Sequence, residues 1–325
     1  MLQLAVRPYR RPFRTPLQTH HGLWGQREGL IMRLQDDKGQ VGFGEIAPIP
    51  WFGTETLAMA KDLCAQWSDT VVPEQIAAIP AELPACQFGF AQALRSLHGR
   101  RLPDPKYSPA QICALLPAGA AALEVWSTLW QRGHRTFKWK IGVAPFHQER
   151  ALFQALVAAL PPGTHLRLDA NGGLTPEVGQ QWLMVCDAAP DRVEFLEQPL
   201  PPDVIVDWVS AIAGTFQTAI ALDESVATIS QLQSVYQRLQ NRVVYVVKPA
   251  IAGFSEQLYT LCTQHHLEIV VSSALETPVG RRAALMLAQR LWAAGVPQRP
   301  LGFGVGHWFQ DNWDTLSEEA LWSQL

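Results

Sequence analysis

From about residue 113 onward, short apolar runs that favour β-strands alternate with longer stretches of helical periodicity. The predicted strands are CALLPA (113–118), TFKWKIG (136–142), HLRLDAN (165–171), RVEFLEQ (192–198), IALDES (220–225), YVVKPA (245–250), EIVVSSAL (268–275) and PLGFG (300–304). Helical segments lie between them, for example at 145–160 and 177–188. This alternation is typical of parallel strands covered by helices and therefore indicates an α/β fold.

The first hundred residues show a different pattern. Their predicted elements are antiparallel strands at 1–13 and 28–48, a hairpin turn at 36–39, and helices at 54–67 and 86–99. The proline-rich segment 102–111 has the composition of a domain boundary. We therefore predict three units, which are an α+β domain at 1–108, an α/β domain at 109–305 and a C-terminal tail at 306–325.

A polar residue lies near the carboxyl end of almost every predicted strand of the α/β domain. These residues are Lys138, Lys140, Asp169, Asn171, Glu197, Asp223, Glu224, Lys248, Ser272 and Ser273. In an open sheet they would spread over about 24 Å, too far apart for a single site. In a closed barrel the same strand ends form a ring around one mouth. We therefore predict a closed barrel with its site at that mouth, suited to a metal and a small acidic substrate.

Judged singly, each acid of this ring has a structural explanation, because acidic residues at strand ends often cap the next helix. Their occurrence in phase on successive strands favours a site instead. Asp169, Glu197 and Asp223 supply three oxygen ligands with no Cys or His beside them. Such a set favours a hard cation such as Mg²⁺ and accepts Mn²⁺. We predict one divalent ion at these three carboxylates.

Neighbours of these acids are candidates for supporting roles. Glu224 is predicted to point to the opposite side of its strand from Asp223, behind the metal ligands. Asn171 is predicted to reach the mouth and to orient water or a ligand. Arg167 faces the same way as Asp169 and can bind a substrate carboxylate, although pairing with a neighbouring acid explains it equally well.

Two lysines flank Trp139 within TFKWKIG. Because strand side chains alternate between faces, Lys138 and Lys140 point to one side and Trp139 to the other. If the lysines face inward, each disfavours charge on its neighbour, and a lysine with a lowered pKa can act as a base.

Residues 20–27 (HHGLWGQR) are a candidate for a loop that closes over a substrate, because glycines flank the bulky Trp24. A plain hairpin connection explains the same segment nearly as well.

Composition excludes several classes of function. The chain has 325 residues, a formal net charge of −3 and 17% charged residues, which does not suggest binding to nucleic acid or an anionic membrane. Five cysteines, odd in number and never spaced as CxxC, argue against a disulfide framework or a cysteine zinc site. No apolar run approaches the roughly 18 residues of a membrane span, and the start lacks a signal peptide's apolar stretch. We expect a cytoplasmic protein without an obligatory protein partner.

The segments KWK, LDAN, EQP, DES and KPA on successive predicted strands closely resemble the muconate lactonizing subgroup of the enolase superfamily. The resemblance covers nearly the whole chain. It implies a (β/α)7β TIM-like barrel with an N-terminal α+β capping domain, on which the C-terminal tail packs. It also implies that Lys140 removes a proton α to a substrate carboxylate, while the charge of Lys138 favours the neutral amine and Lys248 acts as a cation across the mouth.

Within the superfamily, the chain is most similar to the members that dehydrate a succinyl-hydroxycyclohexadiene carboxylate in menaquinone or phylloquinone biosynthesis. The similar segments are REGLIMRL (27–34), the Lys-Pro pair at 248–249, and SSALETPVG (272–280), which implies substrate binding by Ser272 and Ser273. An N-acylamino-acid racemase on the same scaffold is an alternative, because two opposed lysines also suit racemisation. A barrel that binds a metal or small acid without catalysis is another, although it leaves the paired lysines unexplained.

Overall fold

The computed structural model describes residues 1–19, 22–99 and 105–325. Its N-terminal part is an antiparallel sheet in the spatial order β3-β2-β1-β4, with strands β1 (Leu2–Thr19), β2 (Gly22–Gln35), β3 (Val41–Ile46) and β4 (Thr70–Val71). The helices of this part are α1 (Leu57–Gln66), α2 (Pro73–Ala77) and α3 (Pro84–His98). The predicted antiparallel meander and the two predicted helices are confirmed.

The turn between β2 and β3 forms where the Asp-Asp-Lys-Gly segment predicts it. The carboxylate of Asp36 accepts hydrogen bonds from the amides of Lys38 (3.0 Å) and Gln40 (2.7 Å). Gly39 adopts a φ of +80°, in the left-handed region that glycine enters without strain. The side chain thus closes the turn, which sets the register of the hairpin.

The second part of the chain is a parallel barrel. Its strands are β5 (Ala114–Leu115), β6 (Thr136–Lys140), β7 (His165–Asp169), β8 (Val193–Glu197), β9 (Ile220–Leu222), β10 (Val244–Val247) and β11 (Ile269–Val271), paired in chain order. An eighth segment closes the ring, because Leu301 bridges to Ile112 beside β5 and Gly302 bridges to Ser272 beyond β11, both in parallel. The predicted closed barrel is confirmed.

Helices follow most of the barrel strands. They are α4 (Ala122–Gln131), α5 (Phe146–Ala159), α6 (Pro176–Asp187), α7 (Pro202–Ala211), α8 (Ile229–Leu239), α9 (Pro249–Ala252), α10 (Ser255–Gln264), α11 (Pro278–Ala293) and the C-terminal α12 (Glu318–Gln324). Single 3₁₀ turns lie at 50–52, 109–111, 119–121, 224–226, 240–242, 306–308 and 313–315. Of the helices in the described ranges, none combines the length and apolar character that crossing a bilayer requires.

Alternation along the strands separates two apolar layers. Trp139 is buried with Trp182 and Phe153 between strands and helices. A smaller interior cluster contains Phe195 and Val246, which lie two residues before polar residues of the mouth. Lys138 and Lys140 therefore face the barrel interior while Trp139 faces the helices, as the strand period predicts.

The antiparallel sheet and the tail both contact other parts of the fold. The fully buried carboxylate of Glu45 in β3 accepts hydrogen bonds from the amides of Thr277 (2.9 Å) and Gly280 (2.9 Å) at the start of α11. Trp322 in the tail lies 6.0 Å from Phe43, centroid to centroid. We propose the division into 1–108, 109–305 and 306–325 on the basis of these elements, of which residues 100–104 lie outside the described ranges.

Candidate active site

Carboxylates and lysines from successive strands meet at the carboxyl ends of the barrel strands. The Lys138 ammonium lies 2.7 Å from Oδ2 of Asp169 and 2.9 Å from Oε1 of Glu197, and both carboxylates are buried. The ammonium of Lys248, also buried, pairs with Oδ1 of Asp223. The structure therefore brings together the three carboxylates that the sequence predicts as metal ligands.

Burial and mutual repulsion shape the protonation of this cluster. Burial, with the charges of Asp169 and Asp223, raises the pKa of Glu197 to about 7, although Lys138 opposes the shift. Burial alone disfavours the charged form of Lys138, but the surrounding carboxylates outweigh it and raise the lysine pKa well above its usual value. The mouth thus holds several carboxylates shielded from water, and a bound cation would stabilise their negative charge.

Glu224 does not point where strand alternation predicts. Strand β9 ends at Leu222, and a 3₁₀ turn begins at Glu224, so the period of two no longer applies there. The side-chain amide of Asn171 donates to Oδ2 of Asp169 (3.1 Å) and to Oε1 of Glu224 (3.3 Å). The predicted opposite orientation is therefore wrong, and Glu224 reaches the cluster through Asn171.

The donor set fits a hard divalent cation. Within the described ranges, no three His, Cys, Asp or Glu side chains form a group already arranged around one metal position. The carboxylates of Asp169, Glu197 and Asp223 are instead ion-paired with Lys138 and Lys248. All the acidic donors are oxygens from successive strand ends, and the buried Oε2 atom of half-buried Glu224 has no hydrogen-bond partner among the described residues. This chemistry suits Mg²⁺ or Mn²⁺.

Lys140 differs from the other two lysines of the mouth. It ends β6, is paired in register with Asp169, and is half-buried. Whereas Lys138 and Lys248 form ion pairs, no hydrogen bond or ion pair is found for the Lys140 ammonium among the described residues. Lys140 is thus available for proton transfer on the side of the barrel that holds the carboxylates.

The predicted substrate-binding role of Arg167 needs correction. Its guanidinium donates to both carboxylate oxygens of Glu194, at 2.7 and 3.2 Å, and lies over the ring of Phe195. Arg167 is only 2% exposed. It therefore belongs to an ion pair deep in the barrel, the alternative that the sequence left open.

Ser273 also departs from its predicted role. Its hydroxyl donates to Oε2 of Glu276 (2.9 Å) and accepts from the amide of Leu275 (2.9 Å). The amide of Ala274 donates to the same Glu276 oxygen at 2.6 Å. Because these groups are engaged within their own loop, binding of substrate by the Ser273 hydroxyl and its neighbouring amides is not supported. Ser272 is half-buried, and its hydroxyl makes only a long contact among the described residues, 3.4 Å to the carbonyl of Gly302, so Ser272 stays a candidate.

The candidate closing loop at 20–27 is described only in part, since His20 and His21 lie outside the described residues. Residues 22–27 belong to β2, which agrees with the hairpin alternative. Trp24 packs edge-to-face on Phe13 (5.2 Å) and on Trp51 (4.9 Å). This segment is anchored by aromatic contacts.

Two residues of the site were not predicted. Phe52, in the N-terminal part of the chain, places its ring 4.6 Å from the Lys248 ammonium. No sequence spacing indicates this contact, because the two residues lie in different parts of the chain. Gln198 is fully buried beside Glu197, and its only sequence signal is its place within the EQP segment.

Comparisons with known proteins agree on one family. A model described as Enolase C-terminal domain-like matches residues 121–315, and one described as MenC, N-terminal domain matches residues 1–97. An o-succinylbenzoate synthase of Thermosynechococcus vestitus is 43% identical over 327 residues, covering 98% of each chain. The crystal structure of o-succinylbenzoate synthase from Thermosynechococcus elongatus BP-1, complexed with Mg in the active site, has a TM-score of 0.91 and 40% identity, covering 99% of this chain and 100% of that one. The L-Ala-D/L-Glu epimerase of Bacillus subtilis shares the fold, with a TM-score of 0.76, 20% identity, and coverage of 95% and 91%.

Proposed function

The chain belongs to the enolase superfamily, and we propose that it is an o-succinylbenzoate synthase. This carbon–oxygen lyase dehydrates 2-succinyl-6-hydroxy-2,4-cyclohexadiene-1-carboxylate to o-succinylbenzoate in menaquinone or phylloquinone biosynthesis. The observation that carries the proposal is the full-length similarity to the Thermosynechococcus enzyme, which extends over both parts of the chain. The mouth supplies the groups that the reaction requires. We further propose a cytoplasmic location without nucleic-acid, membrane or obligatory protein partners, supported by the composition.

Asp169, Glu197 and Asp223 would hold one Mg²⁺ or Mn²⁺ ion, with Asn171 orienting Asp169 through two hydrogen bonds. When bound, a divalent cation supplies positive charge that stabilises the negative charge developing on the substrate carboxylate. Glu224 would support the site through the side-chain amide of Asn171. The ammonium of Lys138, held between two of the carboxylates, keeps its charge and stays out of proton transfer.

Lys140 is the base. It faces the same side as Lys138 and lies in register with Asp169 at the end of β6. The neutral amine removes the proton on the carbon α to the substrate carboxylate, and the resulting ammonium returns this proton to the departing hydroxide. The carbon–hydrogen and carbon–oxygen bonds break, one water molecule leaves, and the ring becomes aromatic.

Lys248 provides a fixed positive charge. It is buried, paired with Asp223 and covered by the ring of Phe52. An ammonium held in this place can attract the electron-rich ring of the substrate. A racemase would need Lys248 to exchange protons as Lys140 does, whereas Lys248 is buried and paired with Asp223, which supports dehydration.

The test is a dehydration assay. The purified protein is freed of metal with a chelator and then mixed with the cyclohexadiene substrate, with and without added Mg²⁺. We expect an absorbance change from aromatisation that requires the metal. No change at any Mg²⁺ or Mn²⁺ concentration would overturn the proposal. Rapid conversion of a single-enantiomer N-succinylamino acid to its mirror form, without dehydration, would replace it with the racemase.

A further inference from the structure

Gln198 uses every hydrogen-bonding position of its side chain. Its Nε2 donates to the carbonyl of Leu200 (2.9 Å) and to the hydroxyl of Ser225 (2.7 Å). Its Oε1 accepts from the amide of Asp223 (3.0 Å) and, at longer range, from that of Ser225 (3.4 Å). The side chain is 0% exposed, so its amide is shielded from solvent and bonded to protein groups. It joins the end of β8 to the turn that carries Asp223.

The backbone of Gln198 connects two further strand ends. Its amide donates to the carbonyl of Ala221 in β9 (2.8 Å), and its carbonyl accepts from the amide of Gly172 (2.7 Å) in the turn that follows Asp169. Gln198 adopts a φ of +37°, in the left-handed region that non-glycine residues seldom occupy. Such a conformation persists where surrounding contacts hold it, and it recurs at functional sites.

Strand pairing alone does not orient Asp223. Strand β9 ends at Leu222, so the backbone of Asp223 lies beyond the sheet, and its amide is bound by the Gln198 side chain. We propose that Gln198 is a positioning residue that sets the relative placement of the three metal-binding carboxylates. It immediately follows Glu197, its side chain fixes the turn at Asp223, and its carbonyl fixes the turn after Asp169. This inference rests on the proposed metal site.

A purely structural role makes a different prediction from a positioning role. A structural residue lowers the stability of the metal-free fold, and folded molecules then bind Mg²⁺ normally. A positioning residue changes the affinity of the folded protein for Mg²⁺, and partners that orient metal ligands typically contribute about 10- to 100-fold.

The variant Gln198→Met keeps the length and uncharged character of the side chain but removes all four amide contacts. The matched control is Gln92→Met, since Gln92 is a buried glutamine on α3 that donates to the carbonyl of Val279 and forms no hydrogen bond with Asp169, Glu197 or Asp223 in the described residues. Calorimetric titration of the metal-free proteins with Mg²⁺ should show a dissociation constant about 10- to 100-fold higher for Gln198→Met and unchanged for the control. Circular dichroism establishes that each titrated protein is folded.

Two outcomes separate the inference from the proposed function. If the wild type does not bind Mg²⁺, the metal site itself is wrong. If the wild type binds and folded Gln198→Met binds within twofold of it, the positioning role is overturned and the metal site stands. Should the methionine variant not fold, Gln198→Gly provides the same comparison, because glycine accepts the left-handed backbone.

Discussion

The barrel carries a cluster of charges at each end of its interior, and the two clusters differ in how their charges are balanced. At the amino end, Arg167 and Arg299 both bind Glu194, and Arg299 also binds Glu268 at 3.0 Å. Although burial alone raises the pKa of Glu194, the two guanidinium groups lower it below its usual value. At the carboxyl end, burial and neighbouring carboxylates instead raise the pKa of Glu197 to about 7.

The difference separates structural from functional charge. Each acid of the cluster at the amino end faces guanidinium donors in good geometry, so its charge is compensated within the fold. The acids of the mouth outnumber the ammonium groups that bind them, and one lysine is left unengaged among the described residues. An apolar layer that includes Phe195 lies between the two ends. We therefore expect substitutions at the mouth to change catalysis and metal binding, and substitutions in the cluster at the amino end to change the stability of the fold.

The largest effect is expected for the base. Lys140→Ala should lower the rate of dehydration by about 10³-fold and abolish exchange of the substrate α-hydrogen with deuterated water. Lys140→Arg should fail as well, because a guanidinium does not lose its proton at usable pH. Lys248→Arg keeps a cation and should retain measurable activity where Lys248→Ala does not. An active Lys140→Arg beside a dead Lys248→Arg would show that the base is assigned to the wrong lysine.

At the amino end of the barrel, Arg167→Met should destabilise the protein and leave the rate of catalysis unchanged. Removing one partner of a buried ion pair leaves Glu194 partly uncompensated, a loss of about 3 kcal/mol in the free energy of unfolding. Thermal denaturation of the metal-free protein should show a lower midpoint, while kcat and the Mg²⁺ dissociation constant of the folded enzyme stay within twofold. A weakened Mg²⁺ affinity with an unchanged midpoint would mean that the cluster at the amino end contributes to metal binding.

Glu224→Gln should have a smaller effect than loss of Asp223. The variant removes one negative charge near the cation but keeps an acceptor for Asn171. We expect the Mg²⁺ dissociation constant to rise about fivefold, which corresponds to roughly 1 kcal/mol of charge interaction. A loss as large as that of Asp223→Ala in the same calorimetric titration would identify Glu224 as a metal ligand in place of a supporting residue.

An effect about as small as that of Glu224→Gln is expected at Phe52. Phe52→Leu removes the aromatic face beside the Lys248 ammonium, an interaction of about 0.5 to 2 kcal/mol. We expect kcat to fall roughly threefold to tenfold with little change in Mg²⁺ affinity. Phe52→Tyr keeps an aromatic face and should restore most of the activity. Equal losses in the leucine and tyrosine variants would show that the packing of the ring, and not its π face, is what matters.

The sequence predicts the barrel and the carboxylate ring because both follow from a regular period. Strand alternation placed Lys138 and Asp169 on one interior face, and repetition of strand–helix units brought the strand ends to one mouth. The orientation of Glu224 departs from its prediction, and Arg167 and Ser273 bind protein partners where substrate binding was predicted. Glu224 lies beyond the end of its strand, where the two-residue period no longer applies. The contacts of Arg167 and Ser273 depend on partners in another strand or in a loop, which no local sequence pattern predicts.

The contact of Phe52 with Lys248 shows the same limit on a larger scale. It depends on how the antiparallel part of the chain docks on the barrel, which is set by buried contacts such as those of Glu45 with the start of α11. Residue spacing within either part carries no information on that docking.

Calorimetric titration of the metal-free protein with Mg²⁺ most directly tests the claim that the two ends of the barrel have different tasks. We predict one ion per chain, an affinity lowered by about 100-fold or more in Asp169→Ala, Glu197→Ala and Asp223→Ala, and wild-type affinity in Arg167→Met. Unchanged affinity in one mouth variant would remove that residue from the ligand set. Unchanged affinity in all three, or loss of binding in Arg167→Met, would contradict the account.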